Sequence, residues 1–156
     1  MNKVFLVAGG SGGHLFPALS LFEQLKDYDT LILTDKRTEK YLKRLGMKYR
    51  KIITAKLKIN FFLVFNLLKL FLSILENIAI IIKRKPDIII GFGGYTSIPT
   101  IIAAKILNKK IIIHEQNAVM GKTNRMLSKI ADIVAVTFPK TKFAPKNSVY
   151  TGIPLR

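Results

Sequence analysis

"LVAGGSGGHLFPAL" (residues 6–19) decides the fold. An apolar run ends in four glycines and a histidine, and Pro17 then stands where the spacing predicts the start of a helix. Strand, glycine turn and helix start together open a βαβ unit. Glycines let such a turn close tightly and bring backbone N–H groups against a ligand, and the helix N-terminus adds partial positive charge that favours phosphate. The same alternation continues along the chain. Strand-like runs are expected at 4–8, 30–34, 49–53, 87–90, 111–114 and 133–136, with a weaker one near 148–151. Helix-like stretches are expected at 17–25, 38–45, 61–83, 98–107 and 123–130. Runs such as "DIIIG" and "KIIIHE" are continuously apolar and β-branched, as parallel strands covered on both faces must be. The expected fold is therefore α/β, a Rossmann-like doubly wound parallel sheet. Ligands bind such sheets beyond the carboxyl ends of the strands, so function belongs in the loops after each strand.

The chain has 156 residues, 49% of them hydrophobic, enough for one domain with a real core. It has no cysteine, which removes disulfides and thiolate metal sites and fits a reducing compartment. No signal-peptide pattern precedes the first strand, so a location on the cytoplasmic side is expected. Lys and Arg number 26 against 9 acidic residues, a net charge of +17. That excess suits an anionic partner, either a phosphorylated substrate or an anionic lipid surface, and it also follows from a composition biased to Lys and Ile. The interleaved aromatic and basic motifs of nucleic-acid-binding modules are missing, so nucleic acid is not expected as a partner.

Three loops carry the chemistry. In the first, the dinucleotide fingerprint G-x-G-x-x-G fails, because Gly10 and Gly12 are followed by Leu15 where the third glycine belongs. Asp35, after the second strand, nevertheless imitates the ribose-binding acid of that fold. A Walker loop is absent. His14 and His114 are the two histidines, and both fall at strand ends. His14 suits a general base held neutral at a helix start, whereas His114 reads better as a backbone-bonded residue. The second loop, "GFGGYTSIPT" (91–100), repeats the glycine turn, with Thr96 and Ser97 as expected N-caps and Pro99 in the first helical turn. There Gly94 leaves room for a ligand, and Tyr95 either stacks on it or packs the loop. The third loop, "HEQNAVMGKTN" (114–124), places Glu115, Gln116 and Asn117 at a strand's carboxyl end. Carboxamides there suit the hydroxyls of a sugar ring.

The stretch 61–83 is the most hydrophobic. Phe61, Phe65, Leu68, Leu72, Leu75, Ala79 and Ile82 form one stripe, and Asn66, Lys69, Ser73, Glu76, Ile80 and Lys83 form a narrow polar one. Polar residues interrupt the run of about 20 apolar residues that a membrane span needs. A helix on a sheet needs only one apolar stripe. The surplus (Phe61, Phe62, Phe65, Leu68 and Leu72, with Lys69 reaching headgroups) either faces an anionic membrane surface or is covered by protein.

"GGSGGHLFPAL", "GFGGYTSIP", "HEQNAVMGKTN" and "GIPLR" together resemble, in order and spacing, the amino-terminal half of the MurG glycosyltransferases, over the whole chain. The resemblance implies one half of a GT-B architecture. Residues 1–156 would form the acceptor- and membrane-binding domain, with the carboxyl-terminal donor-binding domain outside this chain. It implies inverting transfer of N-acetylglucosamine from UDP-N-acetylglucosamine to lipid I, giving lipid II for peptidoglycan, on the cytoplasmic face of the bacterial plasma membrane, with no cofactor and no metal. Under it Ser11, Gly12 and Gly13 line the glycine loop, Asn117 binds a sugar hydroxyl, Arg156 reaches the diphosphate, and Gly94 and Tyr95 lie on the acceptor side. His14 is the implied base, with Glu115 serving instead or orienting it. Ser11 stands where the family usually has Thr, and Ile153 where it usually has Asn. The alternative is a non-catalytic subunit that binds membrane and lipid I and recruits a separate donor-binding half.

Overall fold

The structure, a computed structural model, describes residues 2–54 and 63–154. Seven strands form one sheet: β1 (Lys3–Val7), β2 (Asp29–Thr34), β3 (Tyr49–Lys51), β4 (Ile88–Gly91), β5 (Lys110–Glu115), β6 (Ile133–Val136) and β7 (Val149–Tyr150). All pairings are parallel, in the order β3-β2-β1-β4-β5-β6-β7. The helices are α1 (Gly12–Gln24), α2 (Lys36–Arg44), α3 (Leu63–Arg84), α4 (Ser97–Ile106) and α5 (Lys122–Leu127). The expected fold class is the observed one.

Period-two alternation along each strand divides the core into two layers. Val4 and Leu6 pack with Leu15, Leu19 and Leu42 beneath α1 and α2. Phe5 and Val7 pack with Ile80, Ile81, Ile101 and Leu127, beneath α3, α4 and α5. The sheet order reverses between β1 and β4. The chain leaving β1 turns to one face and the chain leaving β4 to the other, which opens a crevice at their carboxyl ends.

Two local expectations are corrected. Helix α1 begins at Gly12, not at Pro17, because the carbonyl of Ser11 already accepts from the amides of His14 and Leu15. Pro17 therefore sits inside the helix and gives no N–H to the carbonyl of Gly13. Thr96 is the N-cap residue of α4, but neither its hydroxyl nor that of Ser97 makes a capping bond. The Thr96 hydroxyl donates to Asp35 (3.0 Å) and the Ser97 hydroxyl to the Gly93 carbonyl (2.9 Å).

Helix α3 is turned the opposite way from an ordinary surface helix. Its buried side includes Ser73, Asn77, Ile80 and Ile81, while Val64, Phe65, Leu67, Leu68, Phe71, Leu72, Leu75 and Ile82 are exposed. The Ser73 hydroxyl donates to the Ile53 carbonyl. Asn77 donates to the Ser73 carbonyl (2.8 Å) and accepts from Thr100 of α4 (2.7 Å). Of the expected polar stripe, Ser73 and Ile80 face inward while Lys69 and Lys83 are exposed, and Ser73 with Asn77 holds α3 on α4 and on the segment after β3. Val64–Arg84 is long and apolar enough to cross a membrane by length and composition, with a mean hydropathy of 1.9.

Helix α3 ends at Lys85, whose φ of +53° precedes Pro86. A non-glycine residue in this left-handed region costs about 1 kcal/mol. Lys85→Gly is expected to raise stability by roughly 0.5–1 kcal/mol, read as a thermal midpoint about 2–4 °C higher.

Candidate active site

The crevice at the carboxyl ends of β1 and β4 is closed on one side by the loop after β5. His14 lies in the first turn of α1, half-buried, and its Nδ1 is 2.6 Å from Nε2 of Gln116. Opposite it is Gly94, at φ +71°. A Cβ there would press on the His14 ring, 3.2 Å from Cδ2 and 3.4 Å from Nε2, in a backbone conformation that side chains disfavour. Glycine at 94 therefore keeps the ring in place. Gly13 differs: an added Cβ would meet only the Ser11 hydroxyl, at 3.9 Å, and otherwise open space. The Ser11 hydroxyl makes no capping bond, so this helix start offers its hydroxyl and first amides outward.

Below them is a cleft of about 220 Å³ lined by His14, Gly94, Glu115, Asn117, Lys122 and Asn124, among others. Glu115 is buried and fully engaged. Its Oε1 accepts from the backbone and side-chain amides of Asn117 (2.9 and 2.8 Å), and its Oε2 from the Gly121 amide (3.0 Å) and Asn124 Nδ2 (2.9 Å). The carboxylate organises the loop that carries Asn117. With one Nδ2 hydrogen of Asn117 given to Glu115, its Oδ1 and second Nδ2 hydrogen remain for a ligand in the cleft that Asn117 lines. A larger hollow of about 460 Å³, between Phe22, Tyr28 and Met47, lies at the amino end of β2, away from this chemistry.

A second cleft of about 330 Å³ adjoins the carboxyl end of β2, lined by Lys36, Arg37, Asn66, Lys69 and Tyr95. Tyr95 thus belongs here rather than beside His14, with the Arg37 guanidinium 4.6 Å above its ring. Burial pushes the Tyr95 hydroxyl up from its ordinary value, so it stays protonated. Asp35, which imitates a ribose-binding acid in the sequence, is occupied. It caps α2 through the Arg37 amide (3.0 Å), takes two bonds from the Arg37 guanidinium (2.7 and 3.1 Å) and accepts from Thr96. Burial pushes its carboxyl up, but the hydrogen bonds from Arg37 and Thr96 outweigh it and hold the pKa below the usual carboxylate range.

His14, Gly94, Glu115 and Asn117 line one cleft, and Ser11, Gly12 and Gly13 stand at the start of α1 beside His14, whereas Arg156, Phe61 and Phe62 lie outside the described residues. Gln116 was noted as a carboxamide suited to sugar hydroxyls, not as the partner of His14, and Arg37 was not singled out from the sequence. Period-two alternation along β5 would have placed Gln116 on the α1-facing side with His114. An Asp at a strand's end followed by a helix is an N-cap signal, and it would have pointed to Arg37.

The profile of the glycosyltransferase family 28 N-terminal domain matches residues 4–136. The chain belongs to that family. It is 38% identical over 154 residues to the UDP-N-acetylglucosamine--N-acetylmuramyl-(pentapeptide) pyrophosphoryl-undecaprenol N-acetylglucosamine transferase of Wolbachia sp. subsp. Drosophila simulans (strain wRi), over 96% of this chain and 43% of that protein. The protein of the same name from Rickettsia rickettsii (strain Sheila Smith) is 39% identical over 158 residues, covering 97% of this chain and 42% of that protein. The crystal structure of Acinetobacter baumannii MurG superposes with a TM-score of 0.82 at 29% identity, over all of this chain and 47% of that one. This family 28 chain spans less than half the length of the curated relatives it matches.

His114, behind the cleft, is buried, and burial lowers its pKa from 6.5 against the opposing pull of the Gly152 carbonyl, Glu115 and Gln116. The unfolded chain therefore binds more protons than the folded one just below pH 6.5, and stability falls as pH drops through that window. Denaturant midpoints at pH 7.5 and 5.5 are expected to show this loss in the parent chain and a smaller one in His114→Gln.

Proposed function

We propose that this family 28 chain is the acceptor-binding half of an inverting N-acetylglucosaminyltransferase. It would carry the sugar from UDP-N-acetylglucosamine to lipid I, a polyprenyl-diphosphate-linked acceptor, in peptidoglycan synthesis. The observation that carries the reading is the placement of His14. Its ring stands on the cleft wall beside the outward-facing amides of the α1 start, where a base and a diphosphate cradle are both needed. The names of the relatives support the choice of substrates. The donor-binding half, on the same polypeptide or on a separate chain, closes the cleft from the other side.

In the reaction, the acceptor hydroxyl oxygen attacks the anomeric carbon of the sugar. The new C–O bond forms as the bond to the diphosphate breaks, and UDP leaves with the electron pair. The hydroxyl proton passes to Nε2 of His14. Glu115 positions Asn117 rather than serving as the base, because its lone pairs already accept four hydrogen bonds. Asn117 Oδ1 accepts from a sugar hydroxyl, and the α1 amides with Ser11, Gly12 and Gly13 hold phosphate oxygens. Tyr95, Arg37, Lys36 and Lys69 form a cationic annex on the acceptor side. No group other than these side chains and amides is assigned a role.

The deciding experiment is transfer of labelled N-acetylglucosamine from UDP to lipid I by this chain combined with a donor-binding half. Activity that requires both is expected. His14→Ala should lower kcat by roughly 10²–10⁴-fold. Gly13→Ala should fold at least as stably as the parent, since alanine favours helix by up to about 1 kcal/mol, yet lose transfer because its methyl enters the ligand's space. A folded chain that binds lipid I but never supports transfer would instead make it a lipid-binding subunit.

We infer further that α3 lies on the cytoplasmic face of a bacterial plasma membrane, with Phe65, Leu68 and Leu72 against lipid and Lys69 at the headgroups. The inward hydrogen bonds of Ser73 and Asn77 support a helix lying on the surface rather than crossing it. Sedimentation with anionic vesicles at low salt is expected. It should weaken roughly fivefold in Lys69→Gln, about 1 kcal/mol, and be lost when Phe65, Leu68 and Leu72 are together replaced by Gln.

A further inference from the structure

Gln116 stands between the two histidines of the chain. Its Nε2 is 2.6 Å from Nδ1 of His14, and two residues before it on the same side of the β5 end lies the buried His114 ring, on which its side chain acts. On its other side, Nε2 of His114 is 3.2 Å from the carbonyl oxygen of Gly152. In this placement Oε1 of Gln116 and Nδ1 of His114 are both buried and, among the described residues, without a partner. Buried polar atoms without partners are rare, and each carries a cost.

The donors and acceptors can be assigned from the fixed end. A carbonyl only accepts, so Nε2 of His114 must carry a hydrogen. A neutral imidazole protonated at Nε2 has a bare Nδ1, which needs a donor. Oε1 cannot give one. The oxygen and nitrogen of a glutamine amide are nearly the same in shape, and their assignment follows from the hydrogen-bond network. Exchanging them satisfies both ends: the amide NH2 donates to His114, and Oε1 faces Nδ1 of His14, which must then carry the hydrogen. The competing arrangement, with the amide as first placed, needs His114 as a buried imidazolium, and burial disfavours that charge.

We propose that Gln116 is a positioning residue that fixes the tautomer of His14. The polarity set by the Gly152 carbonyl passes through His114 and the Gln116 amide to His14 Nδ1–H, leaving the lone pair on Nε2. That is the ring edge beside Gly94, on the wall of the cleft. A histidine protonated on Nε2 instead would present a hydrogen to the acceptor hydroxyl and could not take its proton. The other charged groups facing these rings are Glu115, which lines the cleft and acts on His114, and Lys122 on the cleft rim. The catalytic consequence rests on the reading of His14 as the base.

The test is a long-range ¹H–¹⁵N NMR spectrum of the labelled 156-residue chain at neutral pH, which identifies the protonated nitrogen of each histidine. Expected are Nδ1–H for His14 and Nε2–H for His114. In Gln116→Ala, His14 should lose its single tautomer. In Gln116→Glu, whose carboxylate still accepts from Nδ1–H, it should keep it. With a donor-binding half supplied, Gln116→Ala should lower kcat at least tenfold with KM changed less than about twofold. His14 found protonated on Nε2 in the parent chain, or His114 found as a cation, overturns the proposal, whatever the variants do. The spectrum needs no substrate. The expected tautomers in a chain that supports no transfer would therefore defeat the catalytic reading of His14 and leave the relay standing.

Discussion

The carboxylate of Asp35 holds the functional rim together. It sits at the end of β2, caps α2, grips the Arg37 guanidinium and accepts from Thr96 in the loop after β4. The loop after β1 passes so close that a Cβ on Gly9 would lie 2.7 Å from the Thr96 hydroxyl. Three strand-end loops thus converge on one buried acid. Its charge persists in the interior because each lobe is answered by a donor, and a carboxylate so paired is a rigid anchor. From that anchor Arg37 is carried over Tyr95, and the turn that presents Gly94 is fixed relative to α1. The position of the His14 ring depends on that turn and on the β5 loop, where Glu115 does for Asn117 what Asp35 does for Arg37.

Much of this could be read from residues alone, and for a physical reason. Strands such as Ile88–Gly91 and Lys110–Glu115 are apolar on both faces, a pattern that only a covered parallel sheet produces, so the order and type of elements followed directly. The glycine turns lie where expected because close backbone approach tolerates little else. The start of α1 was misplaced because glycine is a poor helix former and proline a good first residue. Local preference pointed to Pro17, whereas the Ser11 carbonyl, accepting two amides, starts the helix at Gly12. Thr96 and Ser97 looked like caps, yet their hydroxyls serve Asp35 and Gly93. A partner 61 residues away cannot be seen in a window of ten.

The site was legible to the same degree. His14, Gly94, Glu115 and Asn117 were found as residue types in suggestive loops, and the structure gathers them round one cleft. Their division of labour was hidden. Whether Glu115 is free or occupied depends on where the amides of Gly121 and Asn124 fall, and nothing in "HEQN" states it. Tyr95 and His14 are neighbours of the same glycine turn but open onto different clefts, since successive loop residues point apart. Helix α3 offered the sharpest contrast: its periodicity was read correctly, but which stripe faces inward was settled by the hydrogen bonds of Ser73 to the Ile53 carbonyl and of Thr100 to Asn77 rather than by hydropathy.

The sheet order has a consequence for how the chain must be assembled. Strand β1 is central, but one of its two neighbours, β4, lies far along the chain: at its foot the Lys3 amide donates to the carboxylate of Asp87, 84 positions away, and the Asp87 amide donates to the Lys3 carbonyl. During synthesis the β1–β2–β3 half, with α1 and α2, emerges first. It can close only one layer of core, and Phe5, Val7, Leu31 and Leu33 stay bare on the other face with an unpaired β1 edge beside them. The next helix to leave the ribosome is α3, the longest among the described residues, and it packs on that bare face through Ile80 and Ile81, with Ser73 and Asn77 hydrogen-bonded on the same side. The outward apolar face of α3 is thus made before the strand that completes the sheet. Ser73 and Asn77, buried on the inward stripe, set which face of α3 meets the sheet and which stays outside.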